Sequence, residues 1–180
     1  MQTFIALLRG INVGGHNKIA MADFHDLCGR LGFENPRTLL QSGNVVLRSA
    51  SRSASQLERQ LETETEKSFG LQIHFFVRTI EEWREIIAAN PFPKEAIQDP
   101  SHLVVMCFKK SIDSKALDDL RTAIIGPELI KAKGRHAYIT YPAGIGTSRL
   151  TNVLIEKKLA SPGTARNWNT VLKLAAVANA

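Results

Sequence analysis

Apolar positions along the chain switch between two spacings. Thr3–Leu8 is apolar at nearly every position, which reads as a strand with both faces buried. Met21, Phe24, Leu27, Cys28 and Leu31 then recur at helical spacing and predict a helix over Met21–Leu31. Arg37–Gln41 and Val45–Arg48 predict two strands, with Ser42-Gly43-Asn44 as the hairpin turn between them. Ser53 followed by Gln56 has the form of a capping box. It opens a helix carrying Leu57, Leu61 and Phe69, which Gly70 stops. Gln72–Val77 predicts a strand with Ile73, Phe75 and Val77 on one side. The order so far is βαββαβ.

Thr79 and Glu82 form a second capping box, for a helix through Ala89 that Asn90-Pro91-Phe92-Pro93 ends, because proline cannot continue it. His102–Phe108 predicts a strand. Asp113 caps a helix with Leu117, Leu120 and Ile124 on one face, and Ile112 is placed to staple against Leu117. Leu129–Lys133 and Ala137–Tyr141 read as strands separated by Gly134-Arg135. Ser148 is expected to start a helix through Leu159. Thr164 is expected to cap a last one through Val177, with Trp168, Val171, Leu172 and Ala175 as its apolar stripe. Thus βαββα recurs in element order, without a sequence repeat and with a helix where a sixth strand would stand. The expected fold class is α+β: two ferredoxin-like (split βαβ) α/β sandwich units with antiparallel sheets, residues 1–97 and 98–180. A doubly wound parallel sheet is the alternative, and the two hairpins count against it.

This topology brings distant segments together. In a βαββαβ unit the right-handed crossover makes the first two strands parallel, and the hairpin returns the third between them. The loop after the first strand, Arg9–Lys18, and the turn Gln41–Asn44 then emerge at the same sheet edge. The following helix points its N-terminus there, where free N–H groups and the helix dipole favour an anion. Candidate ligand-binding residues on this edge are Arg9, Asn12, Gly14, Gly15, Lys18, Ser42, Gly43 and Asn44. The glycines do not fit a dinucleotide fingerprint. They fit only the first part of a P-loop, because His16-Asn17 stands where Lys-Ser/Thr belongs. The competing reading is structural: Gly14 and Gly15 permit a positive φ in a tight turn. Energetically the site is modest. A helix terminus contributes roughly 0.3–1 kcal/mol and one or two charge-assisted bonds about 1.5–3 each, so a lone phosphate would bind near millimolar.

Charge is uneven. The chain of 180 residues carries +6, but residues 130–180 hold eight cations against Glu156 alone, or +7, which leaves −1 for residues 1–129. Such asymmetry fits an anionic partner or a solvated basic face. Nucleic acid is one candidate partner, though not by aromatic stacking: the first strand offers Phe4 and the third offers Val45, Val46 and Leu47. Apolar residues on both strand faces imply a covered sheet, the cover being the second unit or a second copy of the chain. Cys28 and Cys107 read as buried reduced thiols, and the five histidines (His16, His25, His74, His102, His136) show no metal-ligand spacing, so neither a metal nor a cofactor is expected. The Phe4–Leu8 run is too short for a signal peptide, and no stretch approaches a membrane span. A cytoplasmic location is expected.

In the tail, "TARNWNTV" places Arg166 and Asn167 on the expected first helical turn, where a cation opposes the dipole and so calls for a specific partner. Together "ALLRGINVGG", "QSGNVV", Asn90-Pro91-Phe92 and "TARNWNTV" resemble the bacterial family called domain of unknown function 1697. The resemblance implies two ferredoxin-like units and no transferable reaction, cofactor or partner. Its motif residues here are Arg9, Gly10, Asn12, Gly14, Gly15, Ser42, Gly43, Asn44, Thr164, Arg166, Asn167 and Trp168. Arg149 stands where similar sequences favour lysine. Three function classes follow: a binding module for a phosphate- or carboxylate-bearing ligand at the Arg9 and Ser42 edge, with Arg166 and Asn167 as further candidates; a nucleic-acid or protein interaction domain using the basic C-terminal half; and an enzyme. For the last, His16 is the one ready base and Ser42 the one motif hydroxyl on that edge.

Overall fold

The computed structural model describes residues 1–50 and 53–180. The opening apolar run is strand β1 (Gln2–Leu8), followed by helix α1 (Met21–Arg30), strands β2 (Glu34–Thr38) and β3 (Asn44–Ser49), helix α2 (Ala54–Phe69) and strand β4 (Phe75–Thr79). The sheet order is β2-β3-β1-β4, every neighbouring pair antiparallel. This is the split βαβ order: β3 returns between the ends of the crossover. Phe4, Ala6 and Leu8 of β1 join Phe24 and Leu27 of α1 and Leu57 and Leu61 of α2 in one core. Each of the leucine and phenylalanine side chains contributes about 1.5–3 kcal/mol by burial. Ile5 and Leu7, on the opposite face of β1, are fully buried too, which accounts for the unbroken apolar run.

Helix α2 follows its local signals. Ser53 Oγ accepts from the Gln56 N–H at 3.2 Å, and Gly70 closes the helix at φ 67°. Strand β2 lies earlier than expected and ends at Thr38. Its register shifts between Glu34 and Arg37, where Asn35 takes a left-handed φ of 48°, so the strand carries a bulge. Strand β4 lies later than expected, starting at Phe75 rather than Gln72.

The second series comprises α3 (Ile80–Ala88), α4 (Pro93–Gln98), β5 (Leu103–Phe108), α5 (Ser114–Ala123), β6 (Leu129–Lys133), β7 (His136–Thr140), a 3₁₀ turn at Ile145–Thr147, α6 (Asn152–Leu159), β8 (Gly163–Asn167) and α7 (Trp168–Asn179). The order β6-β7-β5-β8 repeats that of the first sheet, again antiparallel. The Thr79–Glu82 box is reciprocal: the Thr79 N–H donates to Glu82 Oε2 at 2.9 Å and the Glu82 N–H to Thr79 Oγ1 at 3.1 Å. Two expectations are corrected. The helix assigned to Ser148 starts at the Thr151 cap, because Ser148 Oγ is already engaged: it donates to Glu128 Oε1 and accepts from the Leu150 N–H at 3.0 Å. The sixth strand does exist. Thr164 pairs with Cys107 inside β8 rather than capping a helix, and α7 starts at Trp168, with Asn167 Oδ1 accepting from the Thr170 N–H at 3.0 Å. Ladder bonds to β5 outweigh the weak helical preference of these residues.

By packing, the chain divides into Met1–Glu85 with Lys173–Ala180, and Ile86–Leu172. The boundary thus falls before residue 97. The Ile86 carbonyl accepts the Tyr138 hydroxyl at 2.6 Å within the second unit, while Asn179 of α7 accepts from Arg84 within the first.

The outer edge of β4 is sealed by its own unit. The Phe75 N–H donates to Glu62 Oε1 at 3.0 Å and the Val77 N–H to Glu58 Oε1 at 2.9 Å, both carboxylates coming from α2. Arg78 Nη1 donates back to the Val77 carbonyl at 2.9 Å and lies 4.0 Å from Glu58 Oε1. Strand β8 repeats the device. The Gly163 N–H donates to Glu156 Oε1 at 2.9 Å, and Arg166 Nη1 to the Ala165 carbonyl at 2.8 Å.

Candidate functional site

The two segments expected to meet do meet. Leu8, the last residue of β1, donates its N–H to the Gly43 carbonyl at 2.9 Å, and Arg9 donates its N–H to the His74 carbonyl at 3.0 Å. Beyond them the chain makes a small hairpin of its own. Asn12 donates its N–H to Asn17 at 3.2 Å, His16 donates to Val13 at 3.1 Å, and Val13 and His16 form an isolated bridge. Gly14 and Gly15 are the two turn residues, at φ 59° and 79°. Successive positive φ values are what a two-residue type I′ hairpin turn requires. The positive φ values of the two glycines are therefore explained by the turn.

Asn12 locks this hairpin in place. Its Nδ2 donates to the Ile19 carbonyl at 2.9 Å and to the Gln41 carbonyl at 2.8 Å, while its Oδ1 accepts from the Ile19 N–H at 3.0 Å. Both amide hydrogens are thus used. Asn44 is fully buried, and its Nδ2 donates to the Leu39 carbonyl at 2.8 Å and to Ser42 Oγ at 3.3 Å. Gly43, at φ 81°, is the point of closest approach: a Cβ there would lie 2.7 Å from Ile11 Cδ1 and 2.8 Å from Leu8 Cβ. Asn12, Gly43 and Asn44 fasten the loop to the turn. The side-chain amides of Asn12 and Asn44 are engaged with the backbone of this edge and with Ser42 Oγ.

Other side chains remain on the surface of this edge. Arg9 is half-buried; Lys18 and Ser42 are exposed, as are His16 at the hairpin and Val13, which is 64% exposed. The start of α1 is occupied otherwise than expected: Ala20 supplies no side-chain cap, and Asp23 in the first turn already complements the dipole. Next to Arg9, a shallow pocket is lined by Glu62, Glu66, Gln72, Ile73 and His74. Among the described residues, no group of three or more His, Cys, Asp or Glu side chains is arranged to hold a metal ion.

Arg166 and Asn167 belong to the second unit, on β8. Besides sealing the strand edge, Arg166 Nη1 donates to Thr164 Oγ1 at 2.9 Å, and Asn167 caps α7. Burial pulls the Arg166 guanidinium down to about 10, with the nearby Cys107 opposing, so it stays charged at neutral pH. Cys28 and Cys107 are buried, and burial pushes the Cys28 thiol up to about 12. Sequence reasoning missed Glu58, Glu62 and Arg78, which look like ordinary surface charges in a helix and a strand. It also missed Glu128, which is 8% exposed and pressed so close to Gly126 that a Cβ there would lie 2.2 Å from its Oε2. Burial, then the Glu128 charge, pushes Tyr141 up to about 12. No local pattern marks any of these roles.

No helix among the described residues is long and apolar enough to cross a membrane. No curated protein matches the chain. A conserved bacterial protein from Streptococcus pneumoniae has the same fold, with a TM-score of 0.77 at 21% identity over 98% of each chain. The model of a family described as protein of unknown function (DUF1697) matches residues 1–138. That span holds the glycine hairpin, the Ser42 turn and the carboxylates that seal β4, while the Arg166 segment lies beyond it. Because that match covers well over half of the 180 residues, the chain belongs to the DUF1697 family.

Proposed function

We propose that the chain is a binding module for a phosphate- or carboxylate-bearing ligand, held at the edge where the Val13–His16 hairpin meets the Ser42 turn. Asn12 carries this reading. By tying the Ile19 and Gln41 backbones together it holds the segments that carry Lys18 and Ser42 side by side, which supports the reading because less loop ordering is left to binding. The ligand set is narrower than the motifs suggest: two cations, one hydroxyl and the exposed backbone of Gly14 and Gly15. Two charge-assisted contacts at about 1.5–3 kcal/mol each correspond to affinities from millimolar to tens of micromolar, which favours a ligand with more than one anionic group.

Thermal melting with inorganic pyrophosphate, ADP and citrate tests this. At about ten times Kd, mass action stabilises by roughly 1.4 kcal/mol, or about 3–6 °C for a chain of this length. Lys18→Gln with Arg9→Gln should abolish the rise. A flat response to all three anions at tens of millimolar, or an equal rise in the double variant, overturns the proposal.

A further inference from the structure

We infer that the outer edge of β6 is a docking strand for an extended acidic segment of a partner protein. The other outer edges are closed to such pairing. Strand β2 is bulged and contains Pro36, β4 has its outward N–H groups on Glu58 and Glu62, and β8 has Glu156 and Arg166. Strand β6 has neither a bulge nor a proline, and among the described residues one of its outward groups is taken, by an arginine. Its register with β7 runs unbroken from Leu129↔Thr140 to Lys133↔His136. The Leu129 N–H faces β7, donating to Thr140 Oγ1 at 3.2 Å, whereas the Ile130 carbonyl faces away and accepts from Arg121 Nε at 3.2 Å. By strand alternation Ile130 and Ala132 present their N–H and C=O groups outward, and Arg121 takes one of those four.

Charge says what fits. Leu129, Lys131 and Lys133 share one face of β6 and are exposed, Leu129 at 54%; Ile130 and Ala132 pack toward the core on the other. A groove of about 500 Å³ runs along the strand, lined by Arg121, Ile124, Leu129 and Lys131, with Glu128 at one side tied to Ser148. An added strand should therefore place Asp or Glu beside Lys131 and Lys133, and apolar residues beside Ile130 and Ala132. A second copy of β6 would bring lysine against lysine, which disfavours self-pairing.

The test is fluorescence anisotropy of a labelled Glu-Val-Glu-Val-Glu-Val-Glu peptide titrated with the full chain at low salt. Saturable binding is expected. It should weaken about tenfold or more when the peptide backbone N–H groups are methylated, and similarly in Lys131→Glu with Lys133→Glu. Ala132→Pro should do the same, because it removes an outward donor without touching the β6–β7 ladder. Equal binding of the methylated peptide overturns the inference whether or not the proline variant folds, since attraction between charges alone would then suffice. No binding of the peptide, or binding only of a DNA duplex under the same conditions, overturns it as well.

Discussion

Gly43→Ala probes the lock between hairpin and turn. Gly43 sits at φ 81°, and an added Cβ would lie 2.7 and 2.8 Å from Ile11 Cδ1 and Cγ1 and 2.8 Å from Leu8 Cβ. Carbon atoms in contact normally stay about 3.5–4.0 Å apart. The Ile11 side chain can rotate aside. Leu8 Cβ cannot, because the Leu8 N–H is bonded to the Gly43 carbonyl itself at 2.9 Å. The left-handed backbone costs an alanine about 1–2 kcal/mol and overpacking about 1–3 more, so the expected loss is about 2–5 kcal/mol. For a chain of this length that lowers Tm by about 4–20 °C. Gly10→Ala is the control. Gly10 has φ 66° but nothing within 4 Å of an added Cβ, so only the backbone cost of about 1–2 kcal/mol remains. Urea denaturation of the two variants, read as the shift in midpoint at unchanged m, separates the effects. Equal losses in the two variants would refute the close approach of loop and turn.

Two further outcomes follow from the same structure. Asn12→Ala strips partners from the Ile19 N–H and C=O and from the Gln41 carbonyl, and should cost about 2–4 kcal/mol; hydrogen exchange at the Ile19 amide should accelerate, and unchanged protection there would count against the assignment. Burial raises the Cys28 thiol from 9.0 to about 12, so its contribution to stability is complete below about pH 9 and is lost as pH climbs through about 12. Cys28→Ala should flatten the alkaline fall in unfolding midpoint without abolishing it, since burial also holds Tyr138 and Tyr141 at about 12; an unaltered slope would show that this thiol ionises alike in both states.

What was legible in the sequence was what is decided locally. Ser53 with Gln56, Thr79 with Glu82, and Asp113 with Ala116 each close a bond over three residues, so residue type and spacing suffice. Paired glycines at Gly14-Gly15 likewise announce a turn. The reach of Asn12 to Gln41 spans 29 residues and depends on how the hairpin is laid against the sheet. The type of residue showed polar capacity there, but not that the protein itself would consume it. Thr164 failed for a related reason. Threonine suits a helix cap and a strand equally, and the choice was made by β5, which offers Cys107 as a register partner.

The two arginines show why motif residues and ligand residues need not coincide. Arg78 and Arg166 each occupy the fourth position of the last strand of a unit, each opposite a residue of the central strand, Ile5 and Val105. Each turns Nη1 back onto the carbonyl before it. The strands FFVRT and GTARN otherwise share no residue at equivalent positions. An apolar core accepts many side chains of similar volume, so the two sheets are free to differ there. An outward carbonyl on an edge strand is a specific need. A planar guanidinium meets it and still has donors left for Thr164, or a charge for Glu58, as a lysine ammonium could not in the same fixed geometry. Arg166, together with Asn12 and Asn44, is thereby accounted for by the architecture. The exposed groups left to test for binding are Lys18 and Val13 beside the first hairpin and, along β6, Lys133 with Lys131, whose ammonium also lies 5.2 Å from the Phe92 ring centre.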